Sequence, residues 1–131
     1  MKLAKRLFLS MTLAFSGTAN AQDVCAFLNG AVIIAQDSGN TYLGKITSSF
    51  DSESIFNEFG SYGSEFSSNS IWNRFSTFGN EFNNDSPFNE FTSRPPMIIK
   101  NRQIIAYLSV NRSIRGAISP NLLKALCIDA F

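Results

Sequence analysis

The sequence predicts a small α+β domain. It combines a small antiparallel sheet from two β-hairpins that bracket three 16-residue aromatic repeats, each with a short helical turn, and a short C-terminal helix. Three observations predict it. Two segments rich in β-branched residues flank a central block. That block repeats with a period of 16. The last residues open on Ser119-Pro120 and carry an apolar stripe at helical spacing. With 131 residues and 44% apolar content, the chain has enough material for one modest core.

Residues 1–21 read as an export signal. Lys2, Lys5 and Arg6 form a positive start, Leu7 to Phe15 a short apolar run, and Ala19-Asn20-Ala21 a cleavage site. The apolar run is shorter than the roughly 20 residues needed to span a bilayer. The expected product is a single exported domain, 22–131, with no membrane span after cleavage, in the periplasm or outside the cell. Cys25 and Cys127 suit that compartment, because an isolated even pair in an oxidising space suggests one disulfide.

Ala31–Gln36 reads as a strand, Asp37-Ser38-Gly39-Asn40 as a turn, and Thr41–Thr47 as the returning strand. The repeat block, 47–94, follows. Phe50, Phe66 and Phe82 align, as do Ser54, Ser70 and Ser86, then Phe56, Trp72 and Phe88, then Asn57, Asn73 and Asn89, then Phe59, Phe75 and Phe91. Each aligned serine is placed to cap a short helical turn, such as Ser54 to Phe59, and Pro87 suits the first helical position. The block has few aliphatics beyond Ile55 and Ile71, so its eleven aromatics from Phe50 to Phe91 are expected to supply its core. After Pro95-Pro96, Met97–Lys100 and Ile104–Asn111 form a second hairpin, with Ile104, Ala106, Leu108 and Val110 alternating onto one face. In the final helix, Leu122, Leu123 and Leu126 form the stripe that Cys127 joins.

The chain has no histidine, which excludes Ser-His, Cys-His and imidazole–metal mechanisms. Removing Lys2, Lys5 and Arg6 leaves 8 basic against 10 acidic residues, so no global basic field exists to hold nucleic acid. The charges are segregated: residues 51–90 carry −6 and residues 94–129 carry +5. That asymmetry fits either internal packing or head-to-tail self-association. Calcium is the one cofactor the oxygen-rich composition allows, yet no EF-hand or nonapeptide loop is present. Asp51 with Glu53, or Glu58 with Glu90, are the acids formally available to a carboxylate-dependent hydrolase of wall or polysaccharide substrates.

The run Ser54-Ile55-Phe56-Asn57-Glu58-Phe59-Gly60, taken up again from Ser70-Ile71-Trp72-Asn73, resembles small exported bacterial proteins with repeated S-I-x-N-x-[YF]-G units, a Pro-Pro and a hairpin ending near Tyr-Leu. The resemblance covers about Thr41–Asn111 and implies export without implying an activity. Phe stands here where tyrosine is commoner there. The expectation is a non-catalytic binding or structural module of the cell envelope. Tyr62 and Trp72 are the candidate exposed rings, and Asn57, Asn73 and Asn89 either tie loops or touch a ligand. Its expected partner is an envelope component, a polysaccharide or another exported protein, which it could also inhibit.

Overall fold

A computed structural model describes residues 20–131. The export signal, apart from Asn20 and Ala21, lies outside the described residues. The elements are α1 (Ala21–Leu28), β1 (Val32–Ile34), β2 (Tyr42–Lys45), β3 (Met97–Lys100), β4 (Gln103–Leu108), β5 (Ala117–Ile118) and α2 (Pro120–Cys127). The strands form one open mixed sheet in the order β2-β1-β3-β4-β5. No helix among the described residues is long and apolar enough to cross a membrane.

Local chemistry explains the elements. The β1–β2 turn is closed by Asp37, whose carboxylate accepts from the Thr41 amide at 2.9 Å and the Thr41 hydroxyl at 2.6 Å. α2 starts where Ser119 accepts from the Leu122 amide and Pro120 occupies the first turn. α1 was not expected; Asn20 caps it by accepting from the Asp23 amide. β5 was not expected either. It pairs with β4 in parallel, so the sheet is not purely antiparallel.

The sheet has two unlike faces. Ile33, Ile98, Ala106 and Leu108 point inward and join Leu28, Leu43, Ile46, Ile55, Ile71 and Leu123 in one core. A register shift between Ile98 and Ile99 turns Ile104 away from Ala106 and Leu108, leaving it 49% exposed opposite Ile99. The expected alternation of Ile104 with its strand neighbours therefore fails at the bulge. The disulfide Cys25–Cys127 joins α1 to α2 with a Cα separation of 5.5 Å.

The block between β2 and β3 holds no helical turn. It is a chain of β-turns, most of them handing over to the next after three residues. Backbone amides of Asp51, Ser54, Asn57 and Gly60 each donate to the carbonyl three residues earlier, and Asn73, Ser76, Gly79, Asn83, Ser86, Asn89 and Thr92 do likewise. Side-chain oxygens support the turns. Ser54, Ser70 and Ser86 accept from the amides of Phe56, Trp72 and Phe88, two residues on. A helix would need the i→i+4 ladder, and a small polar side chain every third residue competes with it. Gly63 and Gly79 sit where the chain pinches back: a Cβ on either would collide with the backbone of Asn57 or Asn73.

Candidate functional site

The turn sequence decides where each ring points. Ser54-Ile55-Phe56, Ser70-Ile71 and Ser86-Pro87 face the core, and all three serines are fully buried. The other turns face outward. Phe50, Phe59, Phe66, Phe75, Phe82 and Phe91 are each 84–95% exposed. The expectation that the rings supply the block's core is therefore corrected. Ile55, Ile71, Phe56 and Phe78 suffice to seal the block onto the sheet. A chain that turns every third residue can aim only some of its rings inward.

The exposed rings form two sets, each spaced by 16 residues in the sequence: Phe50, Phe66 and Phe82, and Phe59, Phe75 and Phe91. Between Phe75 and Phe82 lies a groove of about 660 Å³ that Trp72, Phe88, Arg74 and Asn121 also line. A smaller one, of about 300 Å³, lies between Phe82 and Phe91. Exposed acids stand immediately before four of the ring positions: Glu58, Glu65, Glu81 and Glu90.

The expected exposed pair, Tyr62 and Trp72, is half-buried instead. Tyr62 meets Tyr42 edge to face at 5.2 Å. Trp72 donates from Nε1 to the Ile55 carbonyl at 2.6 Å, stands 6.0 Å from the Phe88 ring, and has Lys124 Nζ 4.7 Å from its own ring centre. It joins successive turns to α2 and still lines the groove. Asn57, Asn73 and Asn89 use both ends of their amides within their own loops. Each Nδ2 donates to the carbonyl six residues back, of Asp51, Ser67 and Asn83, at 3.0–3.2 Å. Each Oδ1 accepts from the amide of Phe59, Phe75 or Phe91. These asparagines hold up the turns that carry one set of exposed rings. The signal in the sequence for these exposed rings is a small polar residue every third position with an aromatic two residues later.

Among the described residues, Tyr42 and Asp37 carry shifts. Burial, then the hydrogen bond Tyr42 donates to Glu53, holds the Tyr42 phenol above its ordinary range. The two Thr41 bonds hold Asp37 below the usual carboxylate range. The acids considered for hydrolysis do not meet in a pocket. Glu58 and Glu90 are exposed on separate turns, and Glu53 is engaged by Tyr42. Among the described residues no group of three acids or thiols could hold a metal ion.

No family model matches the chain, and no curated protein or solved structure matches it significantly.

Proposed function

We propose that this is an exported, non-catalytic module of the cell envelope that works by binding through its aromatic repeat surface. One observation carries the reading: six phenylalanines are 84–95% exposed on turns that small polar side chains hold in place, and Phe75, Phe82 and Phe91 border shared grooves. Scattered exposed apolar residues are ordinary, but a contiguous apolar patch marks an interaction surface. The three 16-residue copies act as one repeated unit in this reading, so each copy adds two rings to the surface. Binding falls to the phenylalanines and the Trp72 groove, while Asn57, Asn73 and Asn89 keep the turns in shape. A polysaccharide or an apolar protein surface both suit rings flanked by carboxylates.

The test is co-sedimentation of the purified chain with washed, insoluble envelope material. The native chain should pellet with that material and stay in solution without it. A variant with Phe59, Phe75 and Phe91 changed to Ser should keep its circular dichroism and remain in the supernatant. A native chain that never pellets, or a variant that pellets equally well, overturns the proposal.

A further inference from the structure

Building on that reading of the exposed rings as a binding surface, we infer that they dock a second copy of this chain, seated through the outer face of its sheet. The strand registers define that face. One row runs Lys45, Val32, Ile99, Ile104, and the next runs Tyr42, Ile34, Met97, Tyr107. Val32, Ile34, Met97 and Ile99 belong neither to the core nor to the residues packed against it. Among the described residues both helices and the buried isoleucines of the repeat block join the opposite face, with Ile33 and Ile98. An aliphatic sheet face is a suitable floor for phenyl rings; here Ile104 is 49% exposed and Val32, Ile34, Met97 and Ile99 are partly exposed, while Tyr62 packs against Tyr42 at the β2 edge.

Charge and area both favour a second copy. Glu58, Glu65, Glu81 and Glu90 precede the exposed rings, whereas Lys45 lies on the outer face and Arg102 on the turn at its end. The repeat segment 51–90 carries −6 and the C-terminal segment 94–129 carries +5; Arg94 is already paired with Asp85 and Lys124 lies over Trp72, so Lys45 and Arg102 carry the match to the copy's acids. Aromatic side chains bury about 150 Å² or more each. Six such rings reach the roughly 800 Å² per partner of a stable interface. Rings and face are different surfaces, so the contact is head-to-tail and leaves each complex one free ring surface and one free face. Assembly then extends beyond a dimer and weakens as salt screens the charges.

Light scattering with size-exclusion chromatography tests this from micromolar to millimolar concentration, at low and high ionic strength. The native chain should grow in mass with concentration, less so in high salt. Two variants separate the halves of the contact. One changes Phe66, Phe75 and Phe82 to Ser; the other changes Ile104 to Glu on the outer face. Circular dichroism must match the native chain for both. Each variant alone should associate at least tenfold more weakly, whereas mixing the two should give heterodimers that stop at two chains, because one good ring surface then meets one good face. A native chain that stays monomeric at millimolar concentration overturns the proposal. So does an Ile104→Glu variant that assembles normally, or a mixture that forms no heterodimer while the native chain assembles. Envelope co-sedimentation by the Ile104→Glu variant reports on the binding reading separately, since its exposed rings are intact.

Discussion

Ser54 shows what a single side chain contributes here. Its hydroxyl donates to the Thr47 carbonyl at 2.8 Å and accepts from the buried Phe56 amide at 3.0 Å. Ser54→Ala leaves both partners without a bond in a dry place, which costs about 1–3 kcal/mol. Ser64 accepts similarly from the Phe66 amide, but at an exposed turn where water can substitute. Ser64→Ala should cost about 0.5 kcal/mol or less. Urea unfolding of the two variants measures the contrast, and equal losses would contradict it. Asp37 makes a prediction in pH. Its folded pKa is depressed by Thr41, so its contribution is complete above the ordinary carboxyl value of 3.8 and is lost as pH falls through the lower, folded value. Thermal melts between neutral and strongly acid pH should show this loss. Asp37→Ala, which removes both Thr41 bonds, should lower stability by about 1 kcal/mol at neutral pH and flatten that part of the acid limb.

Among the elements, the pinched turns are the most demanding. A Cβ on Gly79 would lie 2.9 Å from the Ile71 carbonyl oxygen and closer still to the backbone of Asn73. Backbone cannot swing aside as a flexible side chain can, so Gly79→Ala should cost about 2–3 kcal/mol, against almost nothing for Gly39→Ala in the exposed β1–β2 turn. Melting temperatures decide it, and equal melting would show that the pinch is relaxed in solution. The elements also show what could be read in advance. α2 was legible because Ser119-Pro120 is a local signal whose chemistry needs no tertiary partner. The strand cores were legible through runs such as Val32-Ile33-Ile34 and Met97-Ile98-Ile99. α1 was not, because its cap, Asn20, falls inside the apparent cleavage motif. β5 was not, because two residues, Ala117 and Ile118, carry no pattern. The turns of the central block were not legible for a subtler reason. A serine oxygen accepts from a free amide equally well at a helix start and in a β-turn. The outcome rests on the next polar side chain, three residues on, which takes the next amide and turns the chain again. A four-residue step at each junction between successive 16-residue segments, Gly60 to Ser64 and Ser76 to Asn80, conceals that spacing.

The whole molecule is closed by a covalent tie and opened by its rings. The exposed phenylalanines contribute little to holding the fold together, since a ring that is about 90% exposed buries little surface on folding. Closure depends instead on Cys25 and Cys127, which bind α1 to α2 across 102 residues. Between those two points lie all five strands and the whole turn block, so cutting the bond frees α1 and α2 from one another at once. The chain-entropy relation gives about 4–5 kcal/mol for a loop of this length. A domain of this size has a total stability of about 5–15 kcal/mol, so the tie is a large share of it. Replacing both cysteines by serine should therefore move the urea midpoint strongly downward, and adding reductant to the native chain should do the same. Ser54→Ala in the disulfide-free background should push the chain to substantial unfolding in water, because the lost hydrogen bonds and the lost cross-link draw on the same total. If the cysteine-free chain unfolds within about 1 kcal/mol of the native one, the core alone closes the molecule and the disulfide merely decorates it.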